Sequence, residues 1–219
     1  MTPTPMPEPT PARAQRAGDG RLDPALLLQA SRRVDWRFLL PRPQLGATVY
    51  IGRGDAALIA ALGAHADLAI LGEAPLRPPA SSFDLAVLKD APLGSVRAGR
   101  KLVRPGGWVY AEVGSVPRRQ GPVATRARSV SRWCRAFADA GLTEVTAHWH
   151  VPSHDAAAFL VPLGDRGAVR LVLRRHQGSA AGRAKAVVGR ILAAAGLIEL
   201  AVRDVSVLGR RPLADGGRR

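Results

Sequence analysis

Gly52 and Gly54 stand one residue apart, straight after the β-branched and aromatic run Thr48–Ile51. Glycines at that spacing permit a tight turn that brings the backbone close to a ligand. Such a turn at the mouth of a parallel sheet is the usual seat of a nucleotide-like molecule, with Arg53 at its centre. Glu73 is the one acid at the end of the next apolar run, where a carboxylate would take ribose hydroxyls. Lys89 and Asp90 close the third run and face the same crevice. His148 and His150 alternate on one strand face, with Trp149 turned the other way. An imidazole titrates near neutrality, so His150 at the mouth is a candidate general base for a hydroxyl acceptor. Zinc would need further ligands of fixed geometry, for which His154 and Asp155 are the nearest candidates. The histidines are read first as ordinary surface residues and second as a polar strand end lining a pocket. No metal is expected.

These residues need a frame that brings strand ends together. The spacing predicts a helix over 23–33, with Asp23 as N-cap and Pro24 at the first helical position. An apolar-aromatic entry segment follows at 34–43. Thr48–Ile51 is the first strand, and Asp55 caps a helix that carries Leu58, Ile59 and Leu62 and stops at Gly63. Strands follow at 67–73 and 83–90, a helix at 95–103, a sharp turn at 104–107 and a fourth strand at 108–114. A helix at 125–141 and a fifth strand at 144–150 come next. Helices are expected at 165–176 and 182–196, and a terminal strand at 201–211. Strands that alternate with helices and are apolar throughout argue for an α/β domain around a mainly parallel sheet. Residues 1–20 form a proline-rich tail, and 21–219 the domain.

The chain has 219 residues and a formal net charge of +15. Only Lys89, Lys101 and Lys185 are lysines, and the arginines are spread along the chain without a dense run or interleaved aromatics. That pattern reads as a solvated basic surface, so no specific nucleic acid is expected. Cys134 is the single cysteine, which excludes an internal disulfide and fits a cytoplasmic location. It reads as a buried structural thiol. No segment has the length and apolarity of a membrane span or the pattern of a signal peptide. Trp36 and Trp108 are expected at the core or a domain seam. No phosphate-binding loop or nucleophile elbow is present.

The strand–Gly-x-Gly–helix unit, then FDLAVL, then KLVRPGGWVYAEVG, together resemble the class I S-adenosylmethionine-dependent methyltransferases over about residues 34–150. The resemblance implies a Rossmann-like sheet with helices on both faces, truncated between the second and fourth strands. It also implies an antiparallel last strand at 201–211 and a helical insertion, about 152–198, capping the acceptor side. The stretch AHWHVPSHDAAAFLVPLGD looks like the tail of uncharacterised actinobacterial methyltransferase-like proteins linked to cell-envelope carbohydrate pathways. The resemblance implies S-adenosylmethionine as cofactor, held by Tyr50, Gly52, Arg53, Gly54, Glu73 and Lys89. Asp90 and His150 would be the acceptor-side catalytic pair, and the acceptor a small molecule. The sequence departs from the family where an acid should precede the turn, since Tyr50 and Ile51 stand there. Ala56 replaces a small residue, often glycine. Arg53 adds positive charge near a sulfonium unless it points outward, and 74–82 is too short for the family's next helix and strand. Three missing polar contacts, at about 1 kcal/mol or more each, would weaken the cofactor a few hundredfold. Two alternatives therefore stand beside the enzyme: a non-catalytic binding or scaffold protein with a protein partner, and a basic nucleic-acid-associated protein.

Overall fold

The computed structural model describes residues 24–71, 79–113, 130–175, 202 and 204–213. The Pro-rich tail, Asp23, Glu73 and the expected helix at 182–196 lie outside them. Helix α1 (Pro24–Arg33) is followed by a 3-10 turn (Asp35–Leu39), strand β1 (Ala47–Gly52) and helix α2 (Ala56–His65). Then come β2 (Asp67–Leu71), β3 (Phe83–Lys89), α3 (Ser95–Leu102) and β4 (Val103–Val113). Helix α4 (Val130–Asp139), β5 (Thr143–Val151), β6 (Phe159–Pro162), α5 (Arg166–Arg175) and β7 (Val205–Arg210) complete the described elements.

The seven strands form one sheet in the order β2-β1-β3-β4-β7-β5-β6. β1 pairs in parallel with β2 and β3, and β3 with β4. β7 runs antiparallel to both β4 and β5, so it enters the sheet as the reversed strand. This is the Rossmann-like α/β sheet expected from the sequence, with the reversed last strand inside it. Order of this kind puts the carboxyl ends of β1, β3, β4 and β5 along a single edge.

The inner strands β1, β3, β4 and β7 bury both faces, as their largely apolar runs require, while β2 is a part-exposed edge. Val49, Ala86, Leu88, Val109 and Val207 face α3 and α4, where Trp133 and Phe137 close the core. Tyr50, Leu85, Val87, Tyr110 and Leu208 face α1, α2 and the 3-10 turn. There Trp36, 1% exposed, stacks on Tyr110 with ring centroids 3.8 Å apart and planes 11° from parallel. Trp36 is thus a core residue, as expected, and Trp108 is packed against the same cluster. Cys134 is half-buried on α4.

Local differences from the sequence reading have physical causes. α2 runs through Gly63 to His65, because an interior glycine weakens a helix by only about 1 kcal/mol. The turn expected at 104–107 is a bulge within β4: pairing passes from Phe83↔Val103 to Leu85↔Trp108, leaving four residues of β4 unmatched. The insertion expected to be helical opens instead with β6, antiparallel to β5, and α5 follows. Phe-Leu-Val-Pro is too short for a helix and supplies an edge that proline can tolerate.

Candidate functional site at the carboxyl edge

The registers align one lateral row of residues across five strands. Gly52 pairs with Lys89, Lys89 with Glu112, Glu112 with Ser206, and Ser206 with His148. All share the α1–α2 face, one row beyond Tyr50, Val87 and Tyr110. Parity dictates this, because alternate residues of a strand share a face. The last row before the carboxyl edge is therefore polar, and the row beneath it is apolar and aromatic.

Arg33, the last residue of α1, lies over this row. Its side chain is 4% exposed and that of Glu112 is fully buried. The guanidinium donates to Glu112 through two nitrogens, Nη1 to Oε1 at 2.5 Å and Nη2 to Oε2 at 2.8 Å. Nη2 also reaches Asp55 Oδ2 at 2.9 Å, and Nε stands 3.0 Å from Asp155 Oδ1. Lys89 Nζ lies 3.0 Å from Glu112 Oε2. Burial opposes charge on all three groups, yet pairing outweighs it. Hydrogen bonds from Arg33, with His154 and Lys89 nearby, hold the Glu112 carboxyl well below the usual carboxylate range. Burial lowers Lys89 and Arg33, but Glu112 more than offsets this and raises both. Burial, then the Glu112 charge, pushes Tyr110 far up, so its hydroxyl stays protonated.

The two glycines do different work. A Cβ on Gly52 would lie 1.8 Å from the Lys89 carbonyl oxygen, so this glycine lets the ends of β1 and β3 meet. A Cβ on Gly54, with φ +34°, would meet nothing within 4 Å, so that side of the turn is open. Arg53, named with the cofactor-binding residues from the sequence, is exposed. Tyr50 is placed otherwise than expected: it is fully buried, and its hydroxyl donates to the Arg53 carbonyl at 3.2 Å, bracing the turn. Asp55 accepts from Leu58 N at 2.9 Å as the cap of α2, as the sequence indicated, while also holding Arg33. Asp90 follows Lys89 directly, exposed, with φ +49°. Lys89 is largely buried, with its ammonium turned to Glu112.

His150 is not at an open mouth. It is 1% exposed and its Nε2 lies 2.8 Å from Ser206 Oγ. Burial, together with the His154 ring 4.4 Å away, brings its pKa down to about 3. Burial also lowers His148. These are interior histidines, not the surface residues of the first reading. His154 Nδ1 stands 3.2 Å from Asp204 Oδ1, and its Nε2 lies 3.3 Å from the Val205 carbonyl. Among the described residues no group of three or more His, Cys, Asp or Glu is arranged to hold a metal ion. No described helix is long and apolar enough to cross a membrane.

Sequence reasoning missed Arg33, Glu112 and Ser206. Glu112 carried a signal: a lone acid in the apolar run WVYAEVG, which must be paired if that run is a buried strand. Its partner, 79 residues away, carried none.

No family model matches the chain, and no curated protein does. Solved structures similar to it include phosphoethanolamine N-methyltransferase 2 of Haemonchus contortus, at 11% identity and TM-score 0.45. That match covers 84% of this chain and 53% of the other, so the chain spans about half the length of the Haemonchus protein. A SAM-dependent methyltransferase of Thermotoga maritima matches at 13% identity and TM-score 0.43, covering 84% of this chain and 88% of that one. A geranyl diphosphate methyltransferase in complex with SAM matches at 16% identity and TM-score 0.41, covering 84% and 85%. Likeness this distant bears no weight for function, and the fold assignment stands on the strand order itself.

Proposed function

We propose that the chain is a methyltransferase that takes S-adenosylmethionine at the carboxyl edge of β1 and β3 and a small-molecule acceptor under the segment after β5. The observation that carries this is the open side of the Gly54 turn in a sheet whose carboxyl edge is polar. The donor set is compatible with the molecule's chemistry. Among the described residues, Asp55, Asp90, Glu112 and Asp155 are four carboxylates at this edge, against the three cations Arg33, Arg53 and Lys89. A net negative edge suits a sulfonium. The turn 52–54 would support the donor, with Glu73, beyond the described residues, as the candidate for its ribose. Bound there, S-adenosylmethionine supplies an electrophilic methyl group. The chain's own part is to hold the two reactants in line, which accounts for most of the acceleration in such transfers. Asp90 is exposed at the edge and is the better candidate to receive an acceptor proton. His150, buried with a pKa of about 3, is a weak base and serves to support Ser206. The resemblance of residues 147–165 to envelope-linked proteins favours a carbohydrate-type acceptor used inside the cell.

One observation favours a second reading, binding without transfer. The charges of Glu112 and Lys89 are satisfied by each other and by Arg33, so neither is left over for a substrate. Calorimetry with S-adenosylmethionine and S-adenosylhomocysteine separates the two. Micromolar dissociation constants are expected for the enzyme, whereas silence at millimolar ligand overturns it in favour of the scaffold. Salt-dependent retention on DNA or RNA would instead favour the nucleic-acid reading.

A further inference from the structure

Residues 152–158, between β5 and β6, cross the carboxyl edge from the sheet towards α1. Both ends are tied to the sheet. His154 is 6% exposed and sits between the Asp204 carboxylate and the Val205 carbonyl, and Ala158 N donates to the Val151 carbonyl at 2.7 Å. The middle is fastened differently. The Asp155 side chain is 79% exposed, yet its carboxylate stands 3.0 Å from Nε of Arg33, a side chain 4% exposed. That nitrogen has no aligned hydrogen bond, so the contact is an ion pair alone. Arg33 is meanwhile fixed from below by Glu112 and Asp55. A single guanidinium thus links α1, the N-cap of α2, the end of β4 and this segment. Its lower contacts are buried and strong, and its upper contact is exposed and weak.

We propose that residues 152–158 are a hinged strap over the carboxyl edge, latched by the Arg33–Asp155 pair, and that opening this latch admits solvent and ligand to the row containing Lys89 and Glu112. The weak link is placed so that the strap can lift while the ionic layer beneath stays assembled. The groups facing Asp155 are Arg33 and, through it, Glu112 and Asp55, so releasing Asp155 leaves Arg33 still paired. That the admitted ligand is a methyl acceptor rests on the proposed function. The strap itself does not.

The test uses the full chain without ligand. Asp155→Asn removes the latch charge at an exposed position and keeps the side chain's shape, with Asp155→Glu as the conservative rescue. Hydrogen exchange of backbone amides in 153–158 should quicken about two- to fivefold in Asp155→Asn, the range an exposed ion pair allows, while 205–210 keeps its protection. Acetylation of Lys89, scored by mass spectrometry against exposed Lys101 in the same molecule, should rise by a similar factor. Asp155→Glu should restore both. Unchanged exchange in 153–158, or unchanged Lys89 labelling, overturns the latch. A failure of S-adenosylhomocysteine to bind would remove the methyltransferase reading and leave these two readouts standing.

Discussion

Replacing Arg33 by methionine keeps most of the apolar stem and removes the guanidinium that holds Glu112. The carboxylate of Glu112, fully buried, would then depend on Lys89 Nζ at 3.0 Å and the Tyr110 hydroxyl at 3.4 Å. Breaking a buried pair by removing one partner destabilises by about 3–5 kcal/mol. The surviving Lys89 contact places this case near the lower end, about 3 kcal/mol. The Asp155 contact adds little, since that carboxylate is mostly in water. Urea denaturation should show the loss as a lower midpoint at unchanged slope, and melting should drop by roughly 6–12 °C for a chain of this size. The double variant with Glu112→Leu should recover part of the loss, because no orphaned carboxylate remains. A loss below about 1 kcal/mol, or strictly additive single losses, would refute the view that Arg33 and Glu112 form one buried charged unit. The same pair predicts acid sensitivity. A carboxyl whose folded pKa is depressed contributes stability that is fully present above its unfolded value of about 4.3 and is lost as pH falls below it. Arg33→Met should therefore flatten the acid limb of stability against pH.

The two turn glycines should respond differently. Gly52→Ala drives a methyl into the Lys89 carbonyl and should destabilise by about 2 kcal/mol or more, read by denaturation. Gly54→Ala has room and carries only the strain of its positive φ, about 1 kcal/mol; equal losses at both positions would contradict the packing seen here. Gly54→Val should fold but lose S-adenosylhomocysteine binding, and undiminished affinity in calorimetry would remove the turn from the site. His150 has a depressed pKa, so the unfolded chain binds its proton first. Stability should fall as pH drops from about 6.5 towards about 3, and His150→Gln should make that decline shallower between pH 6.5 and 5. An NMR titration that finds the His150 ring protonating near pH 6.5 would show that it is not buried.

The fold was legible because its signals are local. Largely apolar runs at 48–51 and 83–88 announce strands covered on both faces, the run at 67–71 announces a further strand that proves to be the sheet's edge, and Asp55 announces the start of α2. The reversed last strand followed from the resemblance, and the pairing of β7 with β4 and β5 agrees with it. The site was less legible, because its partners are distant in sequence. Glu112 stands out as a lone acid in an apolar run, but nothing near Arg33 marks it as the partner, since it looks like an ordinary member of an Arg-rich chain. The Gly-x-Gly signal was ambiguous for a different reason. A glycine that admits a ligand and one that admits a neighbouring strand are the same letter, and only the Lys89 carbonyl against Gly52 tells them apart. His150 was misplaced because the alternation of its strand gives a face but not the depth of burial, which β7 and the segment after β5 supply.

Whether the open side of the Gly54 turn receives an adenosyl ligand decides between enzyme and scaffold. Hydrogen exchange with and without saturating S-adenosylhomocysteine addresses this at residue level. Protection concentrated at residues 51–56 and 89–91 is the predicted outcome. Protection that leaves those segments unchanged, or none anywhere at millimolar ligand, would contradict it.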